Sequence, residues 1–406
     1  MNEPATLKRV LSLPLMIFFG LGNILGAGIY VLVGKIAGHA AMYTPLCFLV
    51  AALVTVFTAF AYAELSSRFP VSAGAAVYVQ EGFRIPALSM IVGVLVILTG
   101  VVSAATIVRG SVGYLQFFVN LPAGVLICFV LAILGAMAAW GVKESAGIVA
   151  IVSAIEIFGL ILVIVVAGEA LQDLPARMSE FVPEFEWSAF QSISIGAFLA
   201  FYAYIGYEDM VNMAEEAHEP TRTLPYSILW SLLIATLLYM VVATVSVLTL
   251  APGLLAQSDA PLASVYRQAT GTEPVLLSAI SVIAVVNGAL IQIIMSSRVC
   301  YGMSQRGWFP RFLGTVHPVT RTPIIATIIV TAIILVMALW LPIETLAKTT
   351  STILLSIFSL VNLALWRIKR AQPVAGSGFT VPQWVPAMGF LISVAFLFLQ
   401  LGGNGR

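Results

Sequence analysis

Long apolar runs alternate with short polar loops along almost the whole chain. A helix needs about 20 mainly apolar residues to cross a bilayer, so each such run indicates a membrane-spanning helix. The pattern therefore predicts an all-α polytopic membrane protein with about 11 transmembrane helices. The predicted spans are 13–37, 43–66, 86–118, 121–141, 146–168, 188–213, 225–250, 274–304, 322–341, 343–366 and 382–402.

Composition agrees with a lipid environment. Of the 406 residues, 60% are hydrophobic and only 9% are charged, whereas a soluble domain carries about 25% charged residues. The net charge of +1 and the absence of any basic run give no indication of nucleic acid. The sequence has no HExxH motif, no paired intramembrane aspartates and no P-loop, so we expect no catalytic residues, no cofactor and no metal.

The placement of lysine and arginine orients the spans, because cytoplasmic loops carry an excess of both. With the N-terminus in the cytoplasm, thirteen of these residues fall on the inner side and five on the outer side. The short termini and the lack of an Asn-x-Ser/Thr acceptor fit a bacterial inner membrane. The inner residues are Lys8, Arg9, Arg68, Arg84, Lys143, Arg222, Arg298, Arg306, Arg311, Arg321, Arg367, Lys369 and Arg370, and the outer ones are Lys35, Arg177, Arg267, Lys348 and Arg406.

The first and sixth spans share an interruption by glycine. The acidic segment 169–187 separates the first five spans from the next five, and a repeat of five helices must re-enter the membrane upside down. The first span contains "GLGNILGAGIYVLVG" (20–34), and the sixth contains Gly206 within "FLAFYAYIGYEDMVNMAEE" (198–216). Interrupted segments at matching positions of two halves point to a transporter binding site. The predicted divisions are 1–168 for the first five-helix repeat, 169–187 for an extracytoplasmic loop, 188–370 for the second, inverted repeat, and 371–406 for a linker and an eleventh helix.

Helix breaks in a membrane have a chemical use. A break leaves unpaired N–H groups at the start of one half and unpaired carbonyls at the end of the other, and it is tolerated only where it lines protein or a polar cavity. The N–H groups favour a carboxylate, and the carbonyls favour an ammonium group. The glycines therefore predict a binding site for a zwitterion, a molecule with both a carboxylate and an ammonium group. The alternative is close helix packing, because Gly22 and Gly26 also have small-xxx-small spacing; the matching break in the sixth span favours the first interpretation.

Five long motifs occur in order along the chain. They are "GNILGAGIYVLVG" (22–34), "YAELSSRFPVSAGAAVYVQEGF" (62–83), "GVKESA" (141–146), "FYAYIGYEDMVNMAEEAHEPTRTLPYSI" (201–228) and "VNGALIQIIMSSRVCYGMSQRGWFPRFLGTVHPVTRTP" (286–323). Over roughly residues 10–370, these motifs resemble those of the amino acid–polyamine–organocation (APC) superfamily of permeases. They are similar above all to bacterial and cationic-amino-acid-type members and to L-type exchangers, although family members commonly have twelve spans.

The resemblance implies a LeuT-type 5+5 inverted repeat plus one additional helix. It also implies secondary active transport of amino acids by alternating access, through proton coupling or exchange. A polyamine or other small organic cation or metabolite antiporter of the same fold is the alternative. The small-molecule amino acid is thus the expected partner, with a coupling proton, or alternatively sodium, as the second.

The family pattern also implies where the substrate sits. Carried over by position, its carboxylate would meet the backbone N–H groups of Ala27 and Gly28, with Gly26 permitting the approach. Tyr202 matches an aromatic position that closes over the substrate from outside, a plain core tyrosine being the alternative. The ammonium group would meet a set of backbone carbonyls, those of Ile24, Tyr202, Ala203 and Ile205.

Two polar residues lie within predicted spans. Glu156 is near the middle of the fifth span, where a carboxylate costs about 2.5–3.5 kcal/mol on insertion scales. Counted from "KESA", Glu156 falls near the position at which some proton-coupled relatives have a lysine that mimics a bound sodium ion. Glu156 has the opposite charge to that lysine. Three interpretations stay open: a proton shuttle, a cation ligand between spans one, five and eight, or a structural hydrogen bond to span one. Asn287 in the eighth span has either the same coupling role or a hydrogen bond between helices.

Overall fold

The computed structural model describes residues 11–71, 74–140, 146–214, 216–305, 307–320, 322–372 and 378–403. Over these residues the fold is helical without any β-strand, and Leu11 and Ala217 form an isolated parallel bridge. Six of the basic residues used for orientation and most of the "GVKESA" motif lie outside the described residues. These six are Lys8, Arg9, Lys143, Arg306, Arg321 and Arg406.

The described residues form sixteen α-helices joined by short loops and 3-10 turns. They are α1 Leu13–Ile24, α2 Ala27–Ala40, α3 Thr44–Arg68, α4 Gly74–Phe83, α5 Pro86–Leu115, α6 Ala123–Trp140, α7 Ala146–Val166, α8 Leu174–Phe181, α9 Trp187–Tyr202, α10 Pro220–Thr249, α11 Pro252–Gln257, α12 Pro261–Thr270, α13 Val275–Gln305, α14 Ile324–Trp340, α15 Ile343–Ala371 and α16 Trp384–Gly403.

Each predicted span overlaps at least one of these helices, so the protein is a multi-pass membrane protein as predicted. By length and apolar composition, seven helical segments within the described residues can cross a membrane. An eighth is added if α7 and the helical residues after it, bent by 55°, count as one span. Helices α1 and α14 and the segment Trp384–Gln400 of α16 are apolar but shorter. The number of eleven spans therefore stays a prediction.

Proline marks where several of the long helices begin. Pro45, Pro86 and Pro220 lie in the first turns of α3, α5 and α10. A proline is favoured there because its missing N–H would have no intrahelical acceptor in any case. These prolines in the sequence therefore mark the positions at which the three helices begin.

Both glycine-containing spans are broken. Helix α1 ends at Ile24 and α2 begins at Ala27, so Leu25 and Gly26 interrupt the first span. In the sixth span α9 ends at Tyr202, and a 3-10 helix over Tyr207–Met213 follows a short turn. The two breaks lie against each other in the core.

Gly206 allows this contact between the breaks. Its φ of +123° is a backbone conformation that side-chain-bearing residues rarely adopt. A Cβ atom at this position would also overlap the backbone carbonyl oxygen of Asn23 at the end of α1. Only glycine satisfies both the conformation and the close approach.

A buried ion cluster fastens the segment before α16 to the end of α3. The carboxylate of Glu64, with no exposed surface, accepts hydrogen bonds from Lys369 Nζ at 2.7 and 2.8 Å and from Arg68 Nε at 2.8 Å. The backbone N–H of Val381 donates to the same carboxylate at 2.8 Å. The cluster therefore joins α3, α15 and the approach to α16.

Candidate functional site

A cavity lies where the two helix breaks meet. Its empty space, part of which is open to solvent, amounts to ≈ 400 Å³. Four elements form its wall: the first break, the second break, α5 and α13. The lining residues are Asn23, Ile24, Gly26 and Gly28 from the first break, Tyr202 and Ile205 from the second, Ser103 and Ile107 from α5, and Gly288, Ile291 and Gln292 from α13.

The cavity brings together five of the seven residues predicted to bind substrate. They are Ile24, Gly26, Gly28, Tyr202 and Ile205. Ala203 instead packs on Gly28, where an added Cβ would lie 2.5 Å from the methyl carbon of Ala203. Ala27 is the first residue of α2, directly after the break.

The structure separates the glycines that the sequence could not distinguish. A Cβ atom at Gly22 would overlap the Ser153 hydroxyl of α7, so Gly22 serves close packing. A Cβ atom at Gly26 would meet no atom within 4 Å. Helix packing therefore accounts for Gly22, whereas Gly26 leaves free space at the cavity wall.

The N-terminus of α2 presents its backbone at this free space. The first N–H groups of any helix have no intrahelical acceptor, and Gly26, which precedes α2, provides no side-chain cap. The helix dipole gives this end a partial positive charge. The arrangement is suited to a small anion that approaches past Gly26.

Tyr239 of α10 occupies the carbonyl side of the breaks, and the sequence analysis did not identify it. Its hydroxyl lies 2.7 Å from the backbone oxygen of Ile24 and 2.8 Å from that of Ala203, so these two acceptors share its one proton. A carbonyl oxygen has two lone pairs, so a second donor can share each of these two oxygens. A tyrosine within an apolar span gave no signal of this contact.

Tyr202 joins the second break to α5. Its hydroxyl lies 3.1 Å from Ser103 Oγ and also donates to the backbone oxygen of Ser103 at 3.2 Å. The side chain is almost completely buried, yet it lines the cavity. These contacts agree with both interpretations of Tyr202, as a residue that closes the site and as a core tyrosine.

Glu156 and Asn287 do not line the cavity but lie close to it, and Asn287 directly precedes the cavity residue Gly288. Both carboxylate oxygens of Glu156 are buried without a hydrogen-bond partner, as is the amide nitrogen of Asn287. The Asn287 side chain faces the Glu156 carboxyl group from α13, although the geometry of a hydrogen bond is not reached. The side-chain hydrogen bond from Glu156 to span one, one of the three interpretations, is not observed. Instead, Tyr30 of α2 donates its hydroxyl to the backbone oxygen of Glu156 at 2.6 Å.

Two acids follow the second break. The Glu208 carboxylate accepts a hydrogen bond from the Gly206 N–H at 2.9 Å. Gln292, which lines the cavity, donates its amide to Asp209 at 3.4 Å. Both acids are thus engaged with the protein around the break.

Comparison with known proteins agrees with this architecture. The sequence profile described as amino acid permease matches residues 11–405. The chain is 29% identical to the branched-chain amino acid permease BcaP of Bacillus subtilis, over 98% of this chain and 89% of that protein. It is 26% identical to the methylthioribose transporter of the same organism, over 95% of this chain and 87% of that protein.

A plant relative is similar over a smaller part of its length. The chain is 30% identical to the chloroplastic cationic amino acid transporter 9 of Arabidopsis thaliana over 77% of this chain. It spans only 58% of that protein. Because the family profile covers nearly the whole sequence, this chain belongs to the amino acid permease family, whose members are membrane transporters and not enzymes.

Proposed function

We propose that this protein is a secondary active transporter that moves amino acids across a membrane by alternating access. The observation that carries the proposal is that residues of both helix breaks line one and the same cavity. Residues 1–168 and 188–370 then form the two halves of a LeuT-type 5+5 inverted repeat, with 169–187 between them and 371–406 supplying an eleventh helix. The equivalent places of the two broken spans support this arrangement. We also propose a cytoplasmic N-terminus and a bacterial inner membrane.

In this proposal the main chain of the substrate binds to the main chain of the protein. The carboxylate lies at the N–H groups of Ala27 and Gly28, reached through the free space at Gly26. Tyr239 already bonds two of the carbonyls proposed for the ammonium group, so substrate and tyrosine share them. The proposed set is Ile24, Tyr202, Ala203 and Ile205.

A thermal-shift screen of the purified protein against the twenty amino acids tests this function. A ligand that binds only the folded state stabilises it by about 2.7 kcal/mol at one hundred times its dissociation constant. We expect stabilisation by at least one amino acid and none by the matching decarboxylated amine, which lacks the group for the α2 N-terminus. Equal stabilisation by acid and amine, or none by any amino acid, would contradict the proposal.

A polyamine, or another small organic cation or metabolite, is the second candidate substrate. The buried, unpaired carboxyl group of Glu156 near the cavity favours a cation, and the similarity to a methylthioribose transporter favours a metabolite. Putrescine and spermidine belong in the same screen. Stabilisation by these amines alone would establish this second function.

We propose that Glu156 couples transport to an ion. A buried carboxyl group without a hydrogen-bond partner is unfavourable, so a proton or a cation belongs with it. The ionisable side chains facing it are the phenols of Tyr30 on α2 and Tyr239 on α10, and Asn287 faces it from α13. A proton is the simpler occupant, and sodium is the alternative.

The variant Glu156→Gln keeps the shape of the side chain and removes its titration. We expect it to flatten the pH dependence of amino acid uptake into proteoliposomes. Glu180→Gln, at an exposed position on α8, is the control and should keep the original profile. An unchanged pH profile in Glu156→Gln removes the proton-carrier role, and a loss of sodium stimulation assigns a cation instead.

A further inference from the structure

Three isoleucine side chains make part of the cavity wall apolar. Ile107 of α5, Ile205 of the second break and Ile291 of α13 all line it. Gly288 and Gln292 lie three residues before and one residue after Ile291. Because residues three and four apart share a helix face, α13 presents one continuous face to the cavity.

Gly288 makes room on this face. A Cβ atom at position 288 would meet only the Ile107 Cδ1 atom, at 3.5 Å, which is an ordinary van der Waals contact. A methyl group there fits the protein without overlap but takes its volume from the cavity. The packing of α13 therefore does not require glycine at position 288. The absence of a side chain there instead leaves space in the cavity for the substrate.

None of the lining side chains carries a charge. The hydroxyl groups of Ser103 and Tyr202 are bonded to each other, and the amide of Gln292 is bonded to Asp209. A lysine or arginine side chain would find no opposite charge among the described lining residues, because Asp209 is bonded to Gln292 and Glu156 does not line the cavity. A buried cation without a direct counter-charge is costly. Asn23, whose amide atoms are unpaired, remains as a partner for polar groups of the substrate main chain.

We propose that the cavity selects neutral amino acids with aliphatic side chains, and that Gly288 sets the upper limit of side-chain size. This inference rests on the proposed function, which places the main chain of the substrate at the breaks. The aliphatic group then lies among Ile107, Ile205 and Ile291, where each buried methylene group contributes to binding. Gly288 is thus a specificity-determining residue.

The test compares Gly288→Ala with Gly302→Ala in proteoliposomes. Both glycines lie on α13 and both accept a Cβ atom without overlap, but Gly302 is not among the cavity residues. Uptake of alanine, valine, leucine and lysine is measured for each protein. We expect the unmodified protein and Gly302→Ala to prefer valine or leucine over lysine. Gly288→Ala should lower kcat/KM for leucine relative to alanine by about 10- to 200-fold, the range for one methylene group in an apolar pocket.

A second variant keeps the inference testable if Gly288→Ala fails to fold. Ile291→Ala enlarges the same wall and should shift selectivity towards larger side chains, such as that of phenylalanine. Preference for lysine or arginine in the unmodified protein overturns the inference while leaving amino acid transport intact. The same selectivity in Gly288→Ala, Ile291→Ala and Gly302→Ala overturns the role of Gly288. Absence of uptake of any amino acid contradicts the proposed function itself.

Discussion

A single methyl group at position 26 should lower substrate uptake by about tenfold or more, whereas one at position 28 should destabilise the fold. The two glycines flank the start of α2, and they differ in what surrounds them. Around Gly26 there is free space at the cavity wall. Gly28 lies directly against the backbone of Ala203 in the second break. The pair therefore separates the binding role of the break from its packing role.

For Gly26→Ala the added methyl group occupies the path of the substrate carboxylate to the α2 N-terminus. A hydrogen bond to a charged group contributes about 1.5–3 kcal/mol, so losing one weakens binding by roughly tenfold or more. We expect saturable uptake to fall by at least this factor. Wild-type uptake by Gly26→Ala would show that no substrate group binds at this break.

For Gly28→Ala the added atom overlaps Ala203, and overpacking of a well-packed core costs about 1–3 kcal/mol or more. Thermal unfolding of the purified protein should therefore begin at a clearly lower temperature than for Gly26→Ala. Measuring both variants in one detergent supplies the internal control. A Gly28→Ala protein as stable as Gly26→Ala would mean that the two breaks do not press against each other.

Glu64→Ala should cause the largest loss of stability. It leaves the buried ammonium group of Lys369 and the guanidinium group of Arg68 without their carboxylate, and it releases the N–H of Val381. Removing one partner of a buried ion pair costs about 3–5 kcal/mol, because the remaining charge stays buried and unpaired. Thermal or denaturant unfolding in detergent measures this loss.

The exposed ion pair on α8 provides the comparison for Glu64. Arg177 and Glu180 are linked at 2.8 Å but are both substantially exposed, and such pairs contribute about 0–1 kcal/mol. Glu180→Ala should therefore change stability little. If Glu64→Ala were no more destabilising than Glu180→Ala, the cluster at the end of α3 would not hold the segment before α16.

The local pattern of the sequence predicted more of the fold than of the site. Every apolar run contains a helix, because in a membrane the backbone must satisfy its own hydrogen bonds. The positions of both breaks also followed from glycine and from the matching places of the first and sixth spans. The connecting helices α4, α8, α11 and α12 were not predicted, since with 6 to 10 residues each they are too short to span a bilayer.

The site residues show where sequence reasoning stops. The sequence alone does not distinguish Gly22 from Gly26, because close helix packing and an open path for the substrate both require a residue without a side chain. The hydroxyl of Tyr239 reaches carbonyls on two other elements, and Lys369 meets a carboxylate that is 305 positions away in the chain. No periodicity within a single helix encodes such partners.

The sequence by itself determined that the chain crosses a membrane repeatedly, that two spans are interrupted, and that the motifs are those of amino acid permeases. These properties depend on hydrophobicity and backbone conformation, which are local. Only the tertiary structure decided that both breaks share one cavity, that Gly26 faces free space while Gly28 is packed, and that Ile107, Ile205 and Ile291 line the cavity with no charged residue among the described lining residues. Those properties depend on which surfaces of distant helices meet, and that is set by the packing of the whole bundle.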